Sequence, residues 1–140
     1  MKDRRESGFS LIELLLVVVI IGIIAALGVP AYQKATRAAE NGNAFATMHT
    51  IATTQVGYFS QNSRFGRLAE INSVLSQSMG TVVGNVATRG KFTIDMTPAT
   101  PTDLELKNGY IIAATRNIAS EGVIYKYEIS QSGEVRQILP

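Results

Sequence analysis

Gly8-Phe9-Ser10-Leu11-Ile12-Glu13-Leu14-Leu15 is the stretch on which the fold turns. Residues 9–29 are apolar or small apart from Ser10, and Glu13 is their only ionisable side chain. As a helix, such a segment would be about 32 Å long, close to the ~30 Å hydrocarbon thickness of a bilayer. Residues 14–29 then run without a polar side chain. A carboxylate at the head of that run costs about 2.5–3.5 kcal/mol in lipid unless it finds a partner. The segment ahead of it, Met1-Lys2-Asp3-Arg4-Arg5-Glu6-Ser7-Gly8, carries three basic and two acidic side chains. A basic flank before an apolar run is an export signal that keeps the N-terminus in the cytoplasm.

The chain has 140 residues and a net charge of +2, which gives no case for nucleic acid or acidic substrates as partners. It contains no cysteine and a single histidine, His49. Disulfides and thiol chemistry are excluded, and zinc lacks ligands. His49 lies between Met48 and Thr50 with no acid nearby in sequence, so it reads as a solvated helix residue. Gly84-Asn85-Val86-Ala87-Thr88-Arg89-Gly90-Lys91-Phe92 has one residue too many for a phosphate-binding loop, and Phe92 stands where a hydroxyl must meet magnesium. Asp95, Asp103 and Glu105 lack the spacing of a calcium loop and read as solvated acids. The expectation is therefore a non-enzyme with no cofactor and no metal.

Three readings fit the N-terminus. A signal peptide cut by the general signal peptidase would use the small residues around Ala26, Gly28 and Ala31, but its apolar run is normally shorter. An uncut membrane anchor leaves Glu13 unexplained. The third reading is a resemblance. Gly8-Phe9-Ser10-Leu11-Ile12-Glu13-Leu14-Leu15, extending through Gly22 and Pro30-Ala31-Tyr32, resembles the cleavage signature of type IV prepilins and of the pseudopilins of type II secretion systems. The resemblance implies that residues 1–8 are a leader, removed by a prepilin peptidase between Gly8 and Phe9, and that the new amino group of Phe9 is methylated.

It also implies a structural subunit of a type IV pilus or pilus-like filament, or alternatively a major pseudopilin. A subunit of this kind sits in the inner membrane as a single pass with its C-terminal region outside the cytoplasm. It then polymerises with copies of itself into a periplasmic or surface filament. Its partners would be the peptidase/methyltransferase, an inner-membrane assembly platform with its ATPase, minor pilins or pseudopilins, and the lipid bilayer before assembly. Glu13 would pair with the N-terminus of a neighbouring Phe9 and set the register of packed helices. Gly22, Gly28 and Pro30 would allow the helix to kink or to melt locally. A membrane-tethered or secreted binding domain is the alternative from a different class.

The fold expected is α+β. One long, kinked N-terminal helix over about residues 9–59 would lie against a small antiparallel sheet of three or four strands. Residues 9–29 form its membrane or filament-core half and 30–60 its amphipathic half. Phe45, Met48, Ala52, Val56 and Phe59 are spaced by three and four and are expected to face inward. Residues 61–90 read as a connector, with a short helix from Leu68 placing Leu68, Ile71 and Leu75 inward. Residues 91–140 carry the strand signals, with a loop at Pro98 and Pro101 and a closing hairpin around Ser132-Gly133. Many proteins of the resembled family close this region with a disulfide. Here other interactions must do so.

Overall fold

The computed structural model describes residues 8–118 and 122–139. Residues 1–7 of the expected leader lie outside the described residues. The chain divides into two compact units, Met1–Ala39 and Glu40–Pro140.

The first unit is helical from Leu11 onward. Helix α1 (Leu11–Asn62) runs unbroken through Gly22, Gly28 and Pro30. Pro30 has no N–H to offer the carbonyl one turn earlier, so the helix is locally short of a hydrogen bond. Thr36 Oγ1 bonds the Tyr32 carbonyl at 3.0 Å in the following turn. Every side chain of residues 8–35 is exposed. The most apolar 18-residue window of α1 has a mean hydropathy of 3.0 and none of it is buried. A helix apolar on all faces cannot stay bare in water, so lipid or other helices must cover it.

In the second unit the remainder of α1 is followed by α2 (Leu68–Val74), β1 (Thr81–Val83), β2 (Val86–Arg89), β3 (Phe92–Thr97), α3 (Asp103–Asn108), β4 (Ile111–Ile118), β5 (Val123–Ser130) and β6 (Val135–Leu139). The strands form one antiparallel sheet in sequence order, β1 to β6. The sheet therefore has six strands rather than three or four. The difference lies in residues 81–89, which were expected to be turn-rich connector. Gly84-Asn85 closes a tight hairpin between β1 and β2, and Gly90, at φ 61°, turns β2 into β3. Two glycine turns separated by four residues are enough to fold the segment onto the sheet.

One face of the sheet is apolar and in register. Ala87, Ile94, Ala114 and Tyr127 align across β2 to β5, and all four are buried. The opposite face carries Thr81, Thr88, Thr93 and Thr115 in a single row, β-branched residues suited to a solvated pleat. The buried face packs with Ala44, Met48, Ile51 and Ala52 of α1 and with Leu68 and Ile71 of α2. Leu75 packs on this core from just beyond α2. Phe45 meets Tyr127 edge-on at 4.6 Å, and Phe65 meets Tyr110 at 4.8 Å.

The inward stripe of α1 is shifted from the expected one. Val56 is 64% exposed and faces out, whereas Gln55 is fully buried. Its amide donates to the Gly66 carbonyl at 2.7 Å and accepts from the Gly66 N–H at 2.7 Å. A polar side chain enters the core because both ends of its amide are satisfied by backbone that would otherwise be orphaned. Gly66 sits close to the core there: an added Cβ would stand 2.8 Å from Ile71 Cδ1, so the Ile71 side chain would have to shift.

Candidate functional site

The residues singled out in the sequence fall at the start of α1. Gly8, Phe9 and Ser10 precede the helix and are exposed, Phe9 to 83%. Ser10 is the helix cap. Its Oγ accepts from the Glu13 N–H at 3.3 Å, while Glu13 Oε2 accepts from the Ser10 N–H at 2.8 Å. The Ser10 carbonyl takes the first helical bond, from the Leu14 N–H at 3.2 Å. This reciprocal pair is a capping box, and its S-x-x-E signature stood in the sequence before an apolar run. The carboxylate thus has a donor in its own first turn, and among the described residues it forms no ion pair.

Gly22, Gly28 and Pro30 are distributed over the middle of the exposed apolar segment. An added Cβ would meet nothing within 4 Å at either glycine. Neither is therefore required by packing inside a single chain. His49 is exposed on α1. The acids considered for calcium are not drawn together: Asp95 lies in β3, Asp103 bonds Arg67 at 2.8 Å, and Glu105 caps α3 through Thr102. Among the described residues no three His, Cys, Asp or Glu side chains gather as a metal site.

The second unit is fastened by two charge clusters where a disulfide is impossible. Arg64 grips Glu70 through two hydrogen bonds of 2.9 and 2.7 Å, and Glu70 also accepts from the Arg67 N–H at 2.8 Å. Arg67 reaches Asp103 and the Pro101 carbonyl, which ties the α1–α2 turn to α3. The Arg64 guanidinium, aided by the Arg67 N–H, holds the Glu70 carboxyl down at about 2. In the second cluster Arg116, almost wholly buried in β4, lies 2.6 Å from Glu40 Oε2, and Lys91 lies 3.0 Å from Glu40 Oε1. The Lys91 hydrogen bond is the main cause of a lowered Glu40 pKa, with Arg116 adding to it.

The depressed Glu70 pKa fixes a sign. An unfolded glutamate titrates at about 4.5, so folding binds the charged form more favourably. The stabilisation is complete above about pH 4.5 and is lost as pH falls towards 2. Allowing for the partial exposure of the pair, the loss should be about 1–2 kcal/mol. Urea unfolding of the full chain in detergent at pH 7 and pH 3 should show somewhat more than half of that loss, because pH 3 still lies above the folded-state value. In Glu70→Gln stability at pH 7 should be lower by a similar amount, and the fall from pH 7 to pH 3 should be shallower.

A long helix that begins in a capped, apolar, glycine-flanked segment and continues into an antiparallel-sheet unit defines a pilin-like α+β protein. The family model for the prokaryotic N-terminal methylation motif matches residues 3–29. The type IV major pilin protein PilA of Myxococcus xanthus (strain DK1622) is 37% identical over 67 residues, 48% of this chain and 30% of that protein. The fimbrial protein EcpC of Eikenella corrodens is 34% identical over 107 residues, 69% of this chain and 66% of that protein. The type IV major pilin protein PilE1 of Neisseria gonorrhoeae is 30% identical over 121 residues, 86% of this chain and 62% of that protein. The aligned part spans less than two thirds of the length of these relatives. The chain belongs to the type IV pilin and pseudopilin family, defined by its prepilin-type N-terminal motif.

Proposed function

We propose that the chain is a structural subunit of a type IV pilus, and a substrate of processing enzymes rather than an enzyme. The observation that carries this is the exposed apolar helix headed by a single carboxylate. Residues 1–8 are a leader cut between Gly8 and Phe9 by a prepilin peptidase, which also methylates the Phe9 amino group. Methylation leaves that nitrogen basic, so a positive charge is created where the uncut chain had an amide. Residues 9–29 hold the subunit in the inner membrane, with residues 61–140 outside the cytoplasm. An assembly platform and ATPase then transfer it into a filament of like subunits, capped or primed by minor pilins.

Within the filament, staggered α1 helices bury one another's apolar surface, and Glu13 pairs with the N-terminus of a neighbouring Phe9. A buried ion pair of this sort sets register more than it adds stability. Gly22, Gly28 and Pro30 make residues 22–30 the weakest part of α1, where the helix unwinds to extend the subunit. The relatives are named as pilins and fimbrial proteins, which favours a pilus over the alternative of a secretion pseudopilin.

Intact-mass analysis of the chain from its native membranes and sheared surface fraction tests the processing. A chain beginning at N-methylated Phe9 is expected. A start near Val29 or Tyr32, or an uncut chain, would instead indicate a secreted or tethered binding domain.

A further inference from the structure

The sequence holds two Asn-Gly pairs, Asn41-Gly42 and Asn108-Gly109, and the fold puts them in opposite settings. Asparagine before glycine cyclises readily, because glycine has no side chain to hinder its backbone nitrogen from reaching the asparagine side chain. The reaction needs backbone that can leave helical geometry. Asn41 and Gly42 lie in the interior of α1, and Asn41 Oδ1 is buried. Asn108 is exposed and is the last residue of α3, a helix of six residues. Two long hydrogen bonds hold this end. Asn108 Nδ2 donates to the Leu104 carbonyl at 3.3 Å, and the Gly109 N–H to the Glu105 carbonyl at 3.3 Å. A terminal turn held in this way opens at little cost, whereas the interior of α1 opens only with the helix around it. An open groove of about 520 Å³ beside Asn108, walled by Glu105, Ser130 and Gln131, admits water to the site.

We propose that Asn108 is a site of spontaneous deamidation, a self-modification independent of the processing and assembly described above. The Gly109 N–H gives its proton to a solvent base, and the nitrogen adds to the Asn108 side-chain carbonyl carbon. The bond from that carbon to the side-chain nitrogen breaks. The departing nitrogen takes up a proton and leaves as ammonia, and a cyclic imide remains. Water then opens the ring at one carbonyl to give aspartate, or at the other to give isoaspartate. Either product places a carboxylate at the C-terminal end of α3, which the helix dipole disfavours, and three residues from Glu105. The isoaspartyl product also adds a methylene to the main chain just ahead of Gly109. There is little room for that shift, since a Cβ on Gly109 would stand 2.8 Å from Gln131 Oε1. The Tyr110 N–H donates to the same oxygen at 3.4 Å. The modification therefore loosens the β5–β6 turn from the start of β4.

The test is a time course of the full chain in detergent at mildly alkaline pH, run both folded and in urea. Mass spectrometry of proteolytic peptides reads the gain in mass from amide to acid, and chromatography separates the aspartyl and isoaspartyl forms. In the folded chain Asn108 should convert about tenfold or more faster than Asn41, the ratio set by the greater opening cost inside α1. Conversion should slow as pH falls, because the attacking nitrogen must lose its proton. In urea the two sites should convert at matching rates, which would place the difference in the fold. Asn108→Gln should stay unmodified at that position, since its longer side chain closes a ring poorly. Asn108→Asp, which imitates one product, should melt about 2–5 °C below wild type. Folded-state conversion at Asn108 no faster than at Asn41 would overturn the inference. So would an unmodified Asn108 in the folded chain over a period in which both sites convert in urea. A melt of Asn108→Asp equal to wild type would overturn the loosening of the turn.

Discussion

Replacing Glu40 with alanine is expected to destabilise the second unit by about 2–3 kcal/mol, a fall of roughly 10–20 °C in its thermal midpoint. The reason is Arg116. Its guanidinium is buried in β4, with its carbon 5.9 Å from the centre of the Phe92 ring. Glu40 is the anion beside it, at 2.6 Å, and also meets Lys91 at 3.0 Å. Taking one partner from a buried pair leaves the other charge desolvated and uncompensated, which costs more than the pair itself contributes. The usual range for such a loss is about 3–5 kcal/mol, and the 26% exposure of the Glu40 side chain places the expectation below it. The double variant Glu40→Ala/Arg116→Met should recover about 1 kcal/mol or more, because the stranded charge is gone. Circular dichroism melts of the full chain in detergent measure both. A Glu40→Ala midpoint within a few degrees of wild type would show that Arg116 is satisfied by other means.

Glu13→Gln is expected to lower filament yield by about a hundredfold, while leaving insertion, cleavage and methylation near normal. The substitution is nearly isosteric and keeps an oxygen for the Ser10 N–H, so the helix still starts at Leu11. What disappears is the charge that would face a neighbouring Phe9 ammonium. An unpaired ammonium in the apolar interior of a filament would cost several kcal/mol per subunit, and a loss of this size is a hundredfold or more in an association constant. Immunoblots of sheared surface fractions against total membrane protein give the ratio. Abundant filaments from Glu13→Gln would remove the charge from the assembly mechanism and leave Glu13 as a cap alone.

The first half of α1 was legible because membrane-length apolarity is a strong, contiguous signal that no tertiary packing needs to complete. The strands β4, β5 and β6 were legible for a related reason: each alternates or is rich in branched and aromatic residues, and turn residues precede β4 and separate β5 from β6. Gln55 was not legible. A glutamine in a stripe reads as solvent-facing until its partner is known, and that partner is the backbone of Gly66, eleven residues away. The same holds for β1 and β2, three and four residues long, whose pairing depends on two glycine turns more than on their own composition.

Two helix starts were written plainly and overlooked. Ser10-Leu11-Ile12-Glu13 caps α1, and Thr102-Asp103-Leu104-Glu105 caps α3 in a segment that the two prolines had marked as loop. In both, the acid acts as a hydrogen-bond acceptor as well as a charge. The substitute for a disulfide was likewise hidden, because Arg64, Arg67, Glu70 and Asp103 come together only when α3 docks beside the α1–α2 turn.

We propose that this chain functions through its α1 helices, packed in a filament with the Glu13 charge facing a neighbour's N-terminus. Electron cryo-microscopy of filaments made by the natural protein tests it directly. The account predicts a core of staggered α1 helices in which Glu13 of one subunit lies within about 4 Å of the Phe9 nitrogen of another. A filament core without packed α1 helices, or one in which Glu13 meets only its own Ser10, would contradict it.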